Sequence, residues 1–309
     1  MNGKKRVLIT GGTGYIGSDL VQKILCYSDF DIALIVRDVH SAKKLFKNYV
    51  TYIEYSTLEI FTKSIEIFNP NIVVHLAAYS TSLDTPIEIK KLIESNIIFT
   101  SNLLIALDNI KIDLFINTGS FSEYHNSNSI ISPTYFYSTT KTSARYMIEY
   151  FSKKNSFKFI NAILFTVYGK KSKNKKIIDY IMESLDSIEA IAMSDGKQIL
   201  DFIHINDIVN FYYTTIMHSE NIQISQIDYF IGTGECYSIR ELVKKIEDFT
   251  SKRANIAWGL NKSRKIDTVK ACADIEMAKI ELNYKVKFSL DKGLEKYIQQ
   301  GKINDKSIN

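Results

Sequence analysis

The sequence predicts an α/β fold, a doubly wound parallel sheet with a smaller mixed C-terminal lobe, and three observations carry that reading. Short continuous apolar runs alternate with longer amphipathic stretches through the first half of the chain, as in parallel strands covered by helices on both faces. The first run ends in a turn holding Gly11, Gly14 and Gly17, which opens into an amphipathic stretch. After about Gly169 the rhythm changes to helices, short strands and loops, as in "SIRELVKKIEDF".

Element by element, strands are expected at 6–10, 31–36, 49–55, 72–76, 114–118 and 159–165, each a short apolar run. Helices are expected at 17–27, 42–47, 58–68, 87–108 and 137–154, where apolar residues recur at helical spacing, as Leu20, Val21, Ile24 and Leu25 do. Pro70, Pro86 and Pro133 all fall at expected loops or helix starts. Residues 1–168 then form a dinucleotide-binding domain. Residues 169–309 mainly form a substrate lobe, with some segments returning to the sheet.

Composition narrows the class. A chain of 309 residues with 45% hydrophobic content can bury a large core. Its net charge of +5 is small, and no basic stripe interleaved with aromatics points to nucleic acid. The lysines from Lys170 to Lys176 read as a solvated loop. Cys26, Cys236 and Cys272 are odd in number and lie far apart, which fits a reducing cytoplasm without a disulfide framework or zinc site. The histidines are scattered, so no metal is expected. The opening "MNGKKRVLITGG" enters a strand at once, and no apolar run is long enough for a signal peptide or a membrane span.

The glycine turn has a chemical reading. A strand feeding a glycine turn that opens a helix presents free N–H groups and the positive dipole end where a pyrophosphate can sit. Gly11 permits the turn, Gly14 lets phosphates approach, and Gly17 lets the helix pack on the sheet. At the end of the second strand stands Arg37, followed by Asp38. A guanidinium there favours the 2′-phosphate of NADP(H), whereas Asp38 as ribose acceptor would favour NAD(H). Both readings remain open on sequence. In "YSTTK", Tyr137 and Lys141 sit four apart on a helical stretch and face the same way. An ammonium one turn from a phenol lowers its pKa towards the working range of an acid–base catalyst. Upstream, "DLFINTGSFSEY" places Thr118, Ser120 and Ser122 at a strand end, where a hydroxyl can polarise a carbonyl oxygen.

With "TGGTGYIG", "VVHLAA", Asn96, Ser120, Tyr137/Lys141, "LFTVYG", "DFIHINDIV", "IGTGECYSIREL" and "ADIEMAKIELNYK" in this order, nearly the whole chain resembles the extended short-chain dehydrogenase/reductase family. The resemblance is to its nucleotide-sugar epimerases, dehydratases and ketoreductases, and within them to the branch of CDP-abequose and CDP-paratose synthases. It implies a Rossmann fold and a catalytic set of Ser120, Tyr137 and Lys141. Cofactor contacts are implied at Gly11, Thr13, Gly14, Tyr15, Ile16, Gly17, Arg37, Ala77, Ala78, Tyr79, Asn96, Tyr137, Lys141 and Phe165. Substrate contacts are implied at Ser120, Phe121, Thr166, Lys197 and Arg264, and His125, Tyr135 and Phe136 are candidates for shaping the sugar pocket.

Departures from the family pattern sort the reaction types. Glu54-Tyr55-Ser56 replaces the usual Gly-Asp after the third strand, Thr166 replaces an Asn, and Leu200 replaces an Arg. Phe121 and Ser122 stand where 4,6-dehydratases carry Asp-Glu, and no cysteine lies where 3,5-epimerase-reductases need one. What the resemblance then implies is NADPH-dependent reduction of the C4 keto group of an NDP-4-keto-6-deoxyhexose, in deoxysugar biosynthesis for surface polysaccharide. An NAD(H)-retaining 4-epimerase is the alternative, and a non-catalytic NADP(H) sensor a more distant one. The resemblance also implies a cytoplasmic homodimer pairing the helices near Asn96–Asp108 and Tyr137–Lys154.

Overall fold

The computed structural model describes residues 4–124, 130–172, 174–261 and 266–306. Its first half runs β1 (Arg6–Thr10), α1 (Gly17–Tyr27), β2 (Asp31–Val36), α2 (Val39–Phe46), β3 (Thr51–Glu54), α3 (Leu58–Phe68) and β4 (Ile72–His75). Next come α4 (Pro86–Leu92), a π-helical segment (Ile93–Ile98) and α5 (Phe99–Ala106), followed by β5 (Leu114–Ser120), α6 (Phe136–Asn155) and β6 (Lys158–Leu164). The second half holds β7 (Thr166–Tyr168), α7 (Ile177–Ser184), β8 (Ile191–Met193), β9 (Ile199–His204), α8 (Ile205–Met217) and β10 (Asp228–Ile231). It closes with β11 (Cys236–Ser238), α9 (Ile239–Thr250), β12 (Ile256–Trp258), β13 (Lys270–Ala271), α10 (Glu276–Leu282) and α11 (Leu290–Lys306).

Seven parallel strands form the main sheet in the order β10-β6-β5-β4-β1-β2-β3. Ile9, Leu34, Val74 and Ile116 pack on one face. Leu8, Ala33, Val73 and Phe115 pack on the other. Both faces are therefore apolar, which is why the strands read as unbroken hydrophobic runs. The strand order reverses between β1 and β4, so a crevice opens beyond their carboxyl ends.

Local chemistry explains where the elements depart from expectation. The second helix begins at Val39, earlier than expected, because Asp38 caps it, accepting from Ser41 N at 3.0 Å and from the Ser41 hydroxyl at 2.5 Å. The third strand starts late because Lys47 takes a positive φ of 50° and Tyr49 N closes a turn on Phe46 O. The long helix after β4 is one continuous rod interrupted by the π segment, and such segments often mark functional sites.

The second half builds a smaller sheet around β9. β11 and β13 flank its start, and β7 pairs in parallel with its end. Asp201, fully buried on β9, holds the loop after β10 by accepting from Thr233 N, the Thr233 hydroxyl and Gly234 N, each at 2.8 Å. Two sequence expectations are corrected here. Cys236 and Cys272 are joined in a disulfide, 36 residues apart in sequence but with Cα atoms 5.7 Å apart, because β9 pairs with both β11, which begins at Cys236, and β13, which ends just before Cys272. The lysine run is not simply solvated. Lys170 pairs with Asp19 at 2.6 Å, and Lys176 packs its amine 3.8 Å from the Tyr15 ring, where burial pushes it down to about 8. Among the described residues no helix is long and apolar enough to cross a membrane, and no His/Cys/Asp/Glu cluster is suited to a metal ion.

A polar layer fixes α6 on the sheet. Arg145 donates to both carboxylate oxygens of Asp228 on β10 at 2.7–3.0 Å. Asn161 donates to the same carboxylate at 2.7 Å, and Asn117 to Asn161. Arg145→Met would leave Asp228 without its cation. It should cost about 3 kcal/mol, the low end for a buried pair that keeps some solvent access. Urea unfolding of this variant should show that loss, with part of it recovered in the Arg145→Met, Asp228→Asn double variant.

Candidate active site

The glycine turn brings three backbones into contact. Gly11 has φ of +68°, and a Cβ there would stand 2.7 Å from Ala77 N. A Cβ on Gly17 would stand 2.2 Å from Gly11 O, far inside any van der Waals contact. Gly14 N donates to Gly11 O at 2.9 Å and closes the turn. Thr13 and Gly14 are exposed, and Tyr15 and Ile16 half-buried. α1 opens at Ile16 without a side-chain cap, so its first N–H groups face the crevice for an anion. These residues fit a dinucleotide pyrophosphate.

The neighbouring strand end is tied to the same turn. Ala77 N donates to Thr10 Oγ1 at 3.1 Å. His75 lies buried between Thr10 Oγ1 at 2.8 Å and Thr100 Oγ1 at 3.0 Å, and burial with the Lys141 charge holds it neutral at about 3. Asn96, buried in the π segment, accepts from Tyr79 N at 2.8 Å and donates to Tyr79 O at 3.0 Å. Its amide also donates to Thr140 Oγ1 at 2.9 Å. Asn96 thus clamps the Ala77–Tyr79 loop to α6, while Ala78 stays exposed beside it.

At the end of β2 the two candidate readers separate. Asp38 is occupied by capping α2, and its carboxyl is held below the usual range chiefly by the Ser41 hydroxyl and N–H. Arg37 stands exposed directly after the strand.

The reacting groups lie on β5 and α6. Ser120 ends β5, with its hydroxyl 2.8 Å from that of Ser122. Tyr137 occupies the first turn of α6, its ring stacked on Tyr135 at 6.1 Å between centroids. Lys141 follows one turn later and is 3% exposed, and burial pushes its amine down to about 8. The expected depression of the Tyr137 phenol is corrected. Burial raises it, and the charges of Tyr135 and Glu123 push the same way, against a hydrogen bond from Ser80. The Lys141 charge is felt instead at His75 and Glu123. Sequence reasoning missed Ser80, which lies in a loop with no periodic signal, and Glu123, whose burial only the fold reveals.

Phe121 and Phe165 stack at 5.7 Å between centroids, joining the end of β5 to the end of β6. Thr166 starts β7, half-buried. Phe136 begins α6 beside Tyr135. Lys197 has an 81% exposed side chain and pairs with Asp195 at 3.4 Å. Arg264 and His125 lie outside the described residues.

A glycine turn at the switch point of a doubly wound sheet, beneath a helix carrying Tyr-x-x-x-Lys, defines a dinucleotide-dependent oxidoreductase architecture. The chain belongs to the NAD dependent epimerase/dehydratase family, whose model matches residues 7–232. Among curated proteins it is similar to the CDP-abequose synthase of Salmonella muenchen, 24% identical over 95% of this chain and 97% of that one. The CDP-abequose synthase of Yersinia pseudotuberculosis is 27% identical over 82% of this chain and 88% of its own. Among solved structures, a Bacillus cereus UDP-glucuronic acid 4-epimerase in complex with UDP-glucuronic acid and NAD shares the fold. Its TM-score is 0.81 at 24% identity, covering 96% of this chain and 99% of that one.

The close approach at Gly17 yields a direct test. Gly17→Ala puts a methyl group where Gly11 O now lies, so the turn must open. Calorimetric titration with NADP⁺ and NAD⁺ should show affinity falling at least tenfold, about 1.4 kcal/mol. Unchanged affinity would remove the turn from the cofactor site.

Proposed function

We propose that the chain reduces the C4 keto group of an NDP-4-keto-6-deoxyhexose with NADPH, as a step in deoxysugar formation for surface polysaccharide. Its likeness to CDP-abequose synthases over nearly its full length supports a nucleotide-sugar substrate. The observation that carries the choice of NADPH is at the end of β2, where Asp38 is engaged as a helix cap and Arg37 is exposed. Each oxygen of the Asp38 carboxylate already accepts from Ser41, while the exposed Arg37 guanidinium suits a 2′-phosphate.

The glycine turn, Arg37, the Ala77–Tyr79 loop, Asn96, Phe165 and Lys141 would hold the cofactor, which supplies the hydride when bound. Tyr137 gives its proton to the developing alkoxide at C4. Burial favours the phenol, the form in which a proton donor must begin. Ser120 donates a hydrogen bond to the same oxygen. Phe121 and Thr166 line the sugar's side of the crevice, and residues 169–309 mainly bind the nucleotide.

A 4-epimerase retaining NAD(H) is the second reading, favoured by solved relatives of that activity. Protein purified with tightly bound NAD(H) would move it ahead.

A homodimer through the paired helices belongs to the same proposal. Ile98, Ile105 and Tyr150 stand 46–64% exposed on those helices. Leu104, Met147 and Phe151 turn inward to the core instead. Light scattering at micromolar concentration should give twice the chain mass, and a monomer would exclude this arrangement.

Two further outcomes are expected. Tyr137→Phe should lower turnover of the keto sugar by roughly 10²–10⁴-fold, the scale of general acid catalysis, with cofactor affinity kept. A wild-type rate would refute the donor assignment. Arg37→Glu loses a charge-assisted phosphate contact of about 1.5–3 kcal/mol. The kcat/KM with NADPH should therefore fall at least tenfold while NADH use holds or improves. A wild-type preference for NADH, or an unmoved ratio, would make Arg37 a bystander.

A further inference from the structure

Glu123 has no part in the chemistry proposed above, yet it is the buried carboxylate nearest to it in sequence. It ends the short 3-10 turn Phe121–Glu123 that follows Ser120, and it is 1% exposed. One oxygen accepts the Ser120 N–H at 2.7 Å. The other accepts the hydroxyl of Thr142, the residue after Lys141, at 3.0 Å. Gly119 leaves space for it, since a Cβ there would stand 2.9 Å from Glu123 Oε1. The carboxylate thus bridges the end of β5, where Ser120 sits, to the first turns of α6, where Tyr137 and Lys141 sit.

The charges around it are few. Lys141 faces it from α6 and Asp228 from β10, with Arg145 neutralising Asp228. Tyr124 and Tyr137 supply the nearby phenols. Burial pushes Glu123 up to about 7, against hydrogen bonds from Ser120 and Thr142 and the attraction of Lys141. In return, Glu123 is the one charge among the described residues that counters the burial of Lys141. A neutral Gln could accept the Ser120 N–H with its one carbonyl oxygen, but it would turn an NH2 group towards Thr142. A carboxylate accepts from both partners and adds a negative charge within the low-dielectric interior, where charge acts over distance.

We infer that Glu123 is a positioning residue whose carboxylate holds the end of β5 to α6 and supplies the negative charge opposite the Lys141 ammonium. The inference rests on the reading of Lys141 as a cofactor-binding cation. Near neutrality the glutamate ionises, and its charge then holds the lysine protonated into more alkaline solution.

The test follows NADP⁺ affinity by calorimetry from pH 6 to 10 in the wild type, Lys141→Met, Glu123→Gln and Thr142→Val. Wild-type affinity should fall along an alkaline titration that K141M lacks, which assigns that titration to Lys141. In E123Q the midpoint should move down by about one pH unit, the low end for loss of a nearby opposite charge. T142V removes one donor that favours the anion, so its midpoint should move the same way by less. This isosteric change keeps the test open should E123Q fail to fold. If K141M lacks the titration but E123Q, or T142V in its place, keeps the wild-type midpoint, the role of Glu123 is overturned and the lysine assignment stands. If K141M keeps the wild-type titration, the lysine assignment and the inference fall together.

Discussion

Everything in the molecule is arranged around one steric fact, that three pieces of backbone occupy the space beside Gly11. The carbonyl of Gly11, the start of α1 at Gly17 and the amide of Ala77 approach so closely that no side chain fits between them. That contact sets how far β1, β4 and α1 stand apart at the switch point. It leaves the first amides of α1 facing the crevice instead of being covered by a side chain. Thr10 and Asn96 extend the same constraint outward, the first to Ala77 and the second through Tyr79 to α6. The helix bearing Tyr137 and Lys141 is thereby referenced to the glycine turn through a short chain of hydrogen bonds. A positioned site needs this kind of support, because small displacements of reacting groups are costly.

The environment of α6 shows a division of labour among buried charges. Arg145 and Asp228 neutralise each other in direct contact and hold the helix on the sheet. Lys141 is left without such a contact partner among the described residues and feels Glu123 at longer range. A fully paired lysine would be chemically silent. A lysine with no counter-charge would lose its proton on burial. The observed arrangement lies between these limits.

Much of the fold was legible in the sequence because both periodicities survive there. Strands 6–10 and 31–36 and helices 17–27 and 58–68 coincide with their sequence-based bounds. The strands bury their apolar positions, and each helix buries one apolar stripe, Leu20, Val21 and Ile24 in the first and Phe61 and Ile65 in the second. The glycine turn, Ser120, Tyr137 and Lys141 were legible as spacings. What escaped depends on partners distant in sequence. The disulfide needs β9 to bring Cys236 to Cys272. The raised phenol at Tyr137 and the low lysine at Lys141 reflect burial by several elements at once. A helical spacing says which way two side chains point, but not how much water reaches them. The cap at Asp38 is a local feature of another kind, since its partner Ser41 lies only three residues on.

The passage from β6 into β7 has a consequence for how this chain can vary. Phe165 still donates its N–H to Ile231 O on the main sheet, and the next residue already pairs with β9 in the smaller one. No loop intervenes, and Phe165 alone separates the last residue of β6 from the first of β7. Side chains alternate along a strand with a period of two. The side on which Thr166 emerges is therefore set by residues deep in the other sheet. Inserting or deleting one residue within β6 would exchange the places of Phe165 and Thr166, and the error would carry along β7. Substitutions can accumulate here one side chain at a time, but a change of length would invert the surface that follows it.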